Sequence, residues 1–187
     1  MATSSSDLVT HLKACNIFVG VDVKYYMSII NDIENGKLEM TNSSLENAKI
    51  NRVKDVLSDI KRGKRTTLKP LEFECNHCGG NVRFYSRAQE YSCLECKAKV
   101  TAHADLMPKG TLVSKRFARI RVQLHNELDE LWRTGEMTRN EVYQKLSKKI
   151  SHHPSMAAHI GNVSTNEDVA LYYHAIIQLR SESIVKQ

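Results

Sequence analysis

Four of the five cysteines form two Cys-x-x-Cys pairs, Cys75 with Cys78 and Cys93 with Cys96. Two intervening residues allow a tight turn to point both sulfurs at one ion. The fourteen residues between the pairs fit a hairpin that brings the second turn beside the first. Four thiolates close a tetrahedral shell and leave no position for a reactive water. The pattern therefore predicts one structural Zn²⁺ ion that holds a zinc-ribbon hairpin together.

Other chemistry at these cysteines stays open. An iron–sulfur cluster or a redox-active pair could use the same spacing, although paired cysteines in a reducing cytosol favour a metal. His77 and His103 flank the cysteine pairs as alternative ligands, but four cysteines already suffice. Cys15 lies among apolar residues, so we expect a buried, small apolar side chain there in preference to a reactive thiol.

A second polar group follows the cysteines at helical spacing. Arg121, His125 and Asp129 recur every four residues and would share one helix face, where His103 could join them. A His–Asp pair can act as a base and its orienting partner. A histidine flanked by leucines is more often a packing residue, and the sequence contains no nucleophile elbow or phosphate loop. We therefore expect a non-enzymatic protein, with an enzyme using His103, His125 and Asp129 as the weaker alternative.

Positive charge is concentrated in the middle of the chain. Residues 61–121 contain 14 basic and 5 acidic side chains, whereas 1–60 and 122–187 are each slightly acidic. Such asymmetry is typical of a surface that binds a polyanion. We expect seven cations to contact phosphates and two tyrosines of the ribbon to stack on bases. These are Lys61, Arg62, Lys64, Arg65, Lys115, Arg116 and Arg119, with Tyr85 and Tyr91.

Apolar periodicity predicts an α+β fold, mostly helical, with a small four-cysteine zinc-ribbon β-hairpin flanked by N-terminal and C-terminal helices. Ser6 or Asp7, Asp22, Ser43, Ser114, Thr138 and Thr165 are the expected helix starts, and Gly36 and Pro154 are expected breaks. Alternating residues from Leu71 to Thr101 predict short strands. In the long helix after Ser114, Trp132 is expected to be largely buried.

The expected organisation has four parts. They are an N-terminal helical region at 1–62, a basic linker at 63–70, the zinc ribbon at 71–108, and a C-terminal helical region at 109–187 packed on the ribbon. No apolar run approaches the length of a membrane span, and the first residues lack the pattern of a secretory signal. These features predict a cytoplasmic protein.

From the first cysteine pair onward, the order of motifs resembles the zinc-finger-containing proteins of unknown function found in bacteriophages and prophages. Thr101 and Leu128 depart from that family's usual glycine and phenylalanine. The resemblance covers about residues 75–161 and implies a zinc-binding fold and a phage-type origin. The matching elements are Cys75–Gly79, Cys93–Cys96, Ala98–Val100, His103, Pro108–Leu112, Arg119, Arg121, His125, Asp129–Trp132, Tyr143 and His159–Gly161.

These observations predict a phage- or prophage-type accessory protein that binds zinc and contacts nucleic acid through the basic region. The alternative is a protein-binding module that inhibits or redirects a host machine, such as a polymerase or a defence complex. In that case the ribbon is a scaffold and the first 60 residues form the interface. The steep salt dependence of phosphate binding would separate the two.

Overall fold

The computed structural model describes residues 4–15, 23–37, 40–133, 137–150 and 159–184. The chain divides into two compact units, Met1–Leu112 and Val113–Gln187. The segments predicted as the N-terminal helical region, the basic linker and the zinc ribbon all fall within the first unit. Among the described residues, no helix has both the length and the apolar character needed to cross a membrane.

The first unit begins with three helices followed by a three-stranded antiparallel sheet, and the described part of the second unit is helical. The first unit contains α1 (Ser5–Ala14), α2 (Val23–Glu34), α3 (Ser44–Lys61), β1 (Val82–Tyr85), β2 (Glu90–Cys93) and β3 (Lys99–Thr101). The second contains α4 (Lys115–Arg133), α5 (Arg139–Ile150), a 3₁₀ turn (Ile160–Asn162) and α6 (Asn166–Ile184). The predicted α+β, mostly helical fold class is confirmed.

The start of α1 differs from the prediction. Ser4 is the N-cap: its hydroxyl accepts from the Asp7 N–H, and the Asp7 carboxylate accepts from the Ser4 N–H, both at 3.1 Å. Ser6 and Asp7 therefore lie inside the helix, because the carboxylate completes a capping box and does not itself cap. The cap predicted at Asp22 and the break predicted at Pro154 lie outside the described residues.

Glycines end the next two helices, as the sequence indicates. Gly36 follows α2 with φ +64° and Gly63 follows α3 with φ +63°, in the left-handed region that glycine enters without strain. Ser43 starts α3 by accepting a hydrogen bond from the Glu46 N–H. Lys61 is therefore the last residue of α3, and the basic residues from Arg62 onward follow the helix end directly.

The sheet has the order β1-β2-β3, with Phe84, Tyr91 and Val100 in register across it. Tyr91 is part of the apolar core of the first unit, called here the first core. The centroid of its ring lies 4.9 Å from that of Phe84 and 5.2 Å from that of Phe73. The strand predicted at Leu71–Glu74 is wrong, since only Glu74 forms a bridge, to Asn81. The alternation there has another cause: Leu71 and Phe73 are buried while the two glutamates face solvent.

A buried polar network joins the helices of the first unit to its ribbon. The Tyr26 hydroxyl donates to the Asp105 carboxylate at 2.8 Å. The Arg52 guanidinium donates to the carbonyls of Asp105 and Lys69. The Tyr91 hydroxyl accepts from the Leu71 N–H and donates to the Leu106 carbonyl. These bonds satisfy polar groups that would otherwise be costly to bury, and they fix the loop after β3 against α2 and α3.

The second unit is organised by helix caps and an apolar core. Ser114, Thr138 and Thr165 each accept a hydrogen bond from a backbone N–H three residues on, as predicted. The Glu141 carboxylate in turn accepts a hydrogen bond from the Thr138 N–H, which completes a capping box. This apolar core, the second core, consists of Leu124, Leu128, Leu131, Val142, Leu146, Ile160, Val163, Tyr172, Ala175, Ile176 and Leu179. Tyr173 on α6 is 51% exposed.

Candidate metal centre

The two cysteine turns of the ribbon have the same local geometry. The Cys75 N–H donates to the Gly80 carbonyl at 2.8 Å, and the Cys93 N–H donates to the Ala98 carbonyl at 2.9 Å, five residues on in each case. The residue after the second cysteine has a positive φ in both turns, +72° at Gly79 and +62° at Lys97. Each turn therefore presents its two sulfurs in the same way, and the sheet brings the turns together.

The four sulfurs meet at one point. The sulfurs of Cys75, Cys78, Cys93 and Cys96 all lie within 4.8 Å of one another. The Cys75–Cys96 and Cys78–Cys93 sulfur distances are 3.6 and 3.5 Å. A tetrahedron with Zn–S bonds of about 2.3 Å has S–S edges of about 3.8 Å. The donor set and its spacing therefore fit one structural Zn²⁺ site.

The surroundings of the sulfurs differ between the first and second cysteine of each turn. Cys75 and Cys93 are buried, at 3% and 1% exposure, whereas Cys78 and Cys96 are exposed. Burial raises the pKa of the Cys75 thiol and raises that of Cys93 to about 12. The Gly80 N–H lowers the pKa of the Cys78 thiol to about 7. Because zinc binds thiolates, these protons must leave on binding, and affinity falls as the pH falls.

Bound Zn²⁺ would supply cross-linking between the two turns of the ribbon. Four thiolates fill a tetrahedral shell, so the site resembles closed structural centres. His77 is exposed and His103 is half-buried, and neither joins the cluster of potential ligands found in the described residues. Burial lowers the pKa of His103, although Asp105 acts in the opposite direction. The cysteines alone are therefore the ligand set.

The seven cations predicted to contact phosphates all face solvent. Lys61, Arg62, Lys64 and Arg65 follow or end α3 in the first unit, and Lys115, Arg116 and Arg119 lie on the first turns of α4 in the second. None of the seven forms an ion pair with a carboxylate within the described parts of the chain.

The segment predicted as a linker also contributes to the first unit. Thr66 is buried, its N–H donates to the Cys15 sulfur at 3.3 Å, and its hydroxyl lies 2.8 Å from the His11 ring. Leu68 packs against the first core. Cys15 packs against the first core, as expected for a small apolar side chain. It is only partly buried, and its sulfur also accepts the Thr66 hydrogen bond, which was not expected.

The two tyrosines predicted to stack on bases differ in accessibility. Tyr85 on β1 is 42% exposed, but Tyr91 on β2 is fully buried. Both hydrogen-bonding roles of the Tyr91 hydroxyl are used within the first unit. Stacking by Tyr91 is therefore ruled out, because its ring faces the inner side of the sheet, opposite to the face that carries Tyr85.

The members of the predicted polar group on α4 contact different partners. The Asp129 carboxylate accepts from the Trp132 indole N–H at 3.1 Å and pairs with Arg133. The His125 ring lies 3.4 Å from the Tyr143 hydroxyl, and Arg121 donates to the Val163 carbonyl. His103 belongs to the first unit, whereas the other three belong to the second. Trp132 is half-buried against the second core, which is less than predicted.

The groups that hold the ribbon against the helices carry no recognisable sequence motif. Arg52 and Asp105 are charged residues at 7% and 1% exposure, and Tyr26 donates to the latter. A hint was available in α3, because Arg52 stands directly before Val53 on the apolar side of the helix. No local pattern connects it with Asp105, which lies 53 residues away.

The comparisons with known proteins agree with the metal centre. The model of a family described as a zinc-finger-containing domain matches residues 72–173, which include all four cysteines, α4 and α5. The searches of curated proteins and of solved structures gave no match. The matched segment covers more than half of the 187 residues. With its four sulfurs spaced for one zinc ion, the chain belongs to this family of zinc-finger-containing domains.

Proposed function

We propose that this protein is a non-enzymatic accessory protein of phage or prophage type that binds nucleic acid through cations in residues 61–121. The observation that carries the proposal is the exposure of seven cations that make no ion pair in the described chain. Lysines and arginines of this kind release counterions when they contact phosphates. The phage-type setting is supported by the resemblance of the motifs to phage and prophage proteins.

The charge on α4 adds a second argument. Its first turns hold Lys115, Arg116 and Arg119, and its first turn holds no acidic residue. Cations at a helix N-terminus oppose the macrodipole, at about 0.3–1 kcal/mol each at low ionic strength. A phosphate bound beside these residues would offset that repulsion. Without an anionic partner, these three cations would destabilise α4.

The zinc ribbon has exposed side chains that could bind single-stranded nucleic acid. On β1, Arg83 and Tyr85 are exposed and share one face of the sheet, and Arg87 lies in the turn that follows. An exposed tyrosine with neighbouring arginines can stack on a base while the cations contact the backbone. We therefore favour contact with single-stranded or locally opened nucleic acid.

The test compares two variants that each remove four positive charges. One replaces Lys61, Arg62, Lys64 and Arg65 by alanine. The control replaces four exposed lysines outside the basic region, Lys13, Lys37, Lys54 and Lys148. Each lost phosphate contact should reduce the slope of log K against log salt by about 0.7 for single strands and 0.9 for duplex DNA. The first variant should bind more weakly with a flatter slope, whereas the control should keep the wild-type slope.

Thermal midpoints of both variants should stay near that of the wild type, since exposed substitutions usually change stability by less than about 0.5 kcal/mol. Equal slopes for the two variants would contradict the proposal. A wild-type protein that binds neither DNA nor RNA at low salt would do the same.

A protein partner is the second candidate, favoured by apolar side chains exposed on α6. Leu171, Tyr173 and Ile177 are 40%, 51% and 45% exposed. In the first 60 residues, where we expected such an interface, the one large apolar side chain of comparable exposure in the described parts is Met40. Binding to a protein through α6 would depend weakly on salt. A Tyr173→Ser, Ile177→Ser variant should abolish it and leave nucleic-acid binding unchanged.

A further inference from the structure

A cleft in the second unit brings together residues that neither the zinc site nor the basic region uses. Its volume is about 480 Å³. The lining comes from three elements that are distant in the sequence: α4, the start of α5 and the 3₁₀ turn. The lining residues are His125, Arg139, Asn140, Tyr143, His159 and Ile160.

One end of the cleft is positively charged. Arg139 is exposed, and its guanidinium lies 5.6 Å from the centre of the Tyr143 ring. Across the described residues it has no carboxylate partner. Arg139 and Asn140 are the first two residues of α5, next to the capping box in which the Glu141 carboxylate accepts from the Thr138 N–H. An arginine fork and an amide can donate several hydrogen bonds to a phosphate.

The positive charge of Arg139 also affects the pKa of His125. Burial lowers the pKa of His125 below its usual value, and Arg139 and Arg121 lower it further, while Asp129 acts in the opposite direction. The Tyr143 hydroxyl lies 3.4 Å from Nδ1 of the ring. The cleft therefore carries the positive charge of Arg139 even when His125 is neutral.

The rest of the lining is suited to a flat, apolar group. Ile160 is buried, Tyr143 and His125 are half-buried, and the His159 ring is held by a hydrogen bond from the Gly161 N–H to its Nδ1. Small-molecule sites usually have volumes of about 300–1,000 Å³, well above the size of a lone phosphate ion. The ligand should therefore combine an anionic head with a planar body.

We propose that this cleft binds one nucleotide through its phosphate monoester and base, with Arg139 and Asn140 on the phosphate and Tyr143, His125 and Ile160 beside the base. A free mononucleotide and the phosphorylated end of a strand share this chemistry. The site goes beyond nucleic-acid binding by the cations of residues 61–121 and does not depend on it.

The experiment measures binding by calorimetry and by the histidine ring signals in NMR spectra of the full chain. The probes are the four common nucleoside monophosphates, the matching nucleosides and inorganic phosphate. At least one monophosphate should bind about tenfold or more tightly than its nucleoside and than phosphate alone. The bound phosphate should raise the pKa of His125.

Two substitutions test the assignment. Arg139→Gln should weaken mononucleotide binding at least about tenfold, whereas Lys148→Gln, an exposed change on the same helix, should leave it unchanged. Asn140→Asp, which places a negative charge beside the phosphate, should abolish it. The amide spectrum of the second-unit helices should stay the same in all three variants, so that loss of binding is separated from loss of fold.

The source of the nucleotide is found by competition. If an oligonucleotide with a phosphorylated end displaces the bound mononucleotide, and the same strand with a free hydroxyl end does not, the ligand is the end of a strand. If neither strand displaces the mononucleotide, the ligand is a free nucleotide. The variant lacking Lys61, Arg62, Lys64 and Arg65 should retain mononucleotide binding whether or not it still binds long strands. Binding that is equal in wild type and Arg139→Gln, or absent at millimolar nucleotide, overturns the proposal.

Discussion

The two units of this protein reach a stable core by different means. The first unit has a four-cysteine metal centre within its small ribbon, and a buried polar network around Asp105 joins that ribbon to the helices. The second packs apolar stripes of three helices and fixes their starts with capping bonds. A small hairpin cannot bury enough apolar surface by itself, so it depends on the metal, whereas long helices can. The first unit should therefore be sensitive to metal removal and the second should not.

Metal removal should give the largest difference between the units. A strong chelator, or Cys93→Ser, should expose the amides of β1, β2 and β3 to hydrogen exchange, while α4, α5 and α6 keep their protection. The reason is that apparent binding energies of structural zinc, about 10–16 kcal/mol in small zinc-finger peptides, are also folding energy. Exchange measured by mass spectrometry checks this. Equal loss of protection in both units, or none in either, would contradict the comparison.

Replacing Arg52 should have the next largest effect, again in the first unit. Arg52→Met keeps the side-chain length but leaves the carbonyls of Asp105 and Lys69 without their donor. Asp105 is buried, and a buried acceptor left unsatisfied costs about 1–3 kcal/mol, so we expect a loss of about that size. The control is Lys54→Met on the exposed side of the same helix, which should change stability by less than about 0.5 kcal/mol. Denaturant unfolding of the zinc-loaded protein measures both.

The second unit should respond to pH through Asp168. Burial by itself would raise the pKa of this carboxyl, but the N–H groups of Ser164 and Thr165 outweigh it, and the pKa lies below its usual value. A lowered pKa stabilises the fold above the unfolded-state value of about 3.9, and that contribution is lost as the pH falls below it. Asp168→Asn should cost about 0.3–1 kcal/mol at neutral pH.

This difference between wild type and Asp168→Asn should shrink towards zero in acid. Thermal unfolding across the pH range measures it, with Glu167→Gln in the same helical turn as the control. A difference that stays constant below about pH 4 would mean that the carboxylate charge is not what stabilises the start of α6.

An effect of similarly small size tests the equivalence of the two cysteine turns. Gly79 and Lys97 occupy matching positions with positive φ, but only the first is glycine. Relieving the left-handed strain in Lys97→Gly should stabilise the ribbon by up to about 1 kcal/mol, and Gly79→Ala should destabilise it by a similar amount. Zinc affinity measured by chelator competition should move in the same directions. Opposite signs would show that the turns are not equivalent.

Local signals in the sequence were sufficient for much of this structure. The cysteine spacing located the metal centre, and capping residues such as Ser43, Thr138 and Thr165 located helix starts, because these features act over a few residues. The helix predicted after Ser114 is α4, and its buried residues Leu124, Leu128 and Leu131 recur at the spacings of three and four that apolar periodicity detects.

Longer-range features could not be derived in this way. The segment Leu71–Glu74 alternates like a strand, yet its alternation arises because Leu71 and Phe73 pack into the first core. Tyr91 looks like any ribbon tyrosine, and its burial follows from two hydrogen bonds to residues 15 and 20 positions away. The His125 cleft forms only when three separated segments come together. Each of these depends on tertiary contacts that periodicity does not encode.

The central claim is that one zinc ion, held by four cysteines, stabilises the ribbon of the first unit. Native mass spectrometry of the purified chain tests it most directly. The wild type should carry one Zn²⁺ per chain and lose it on acidification, while a Cys75→Ser, Cys93→Ser double substitution should abolish retention. A wild-type chain with reduced cysteines, folded ribbon strands and no bound metal would contradict the account.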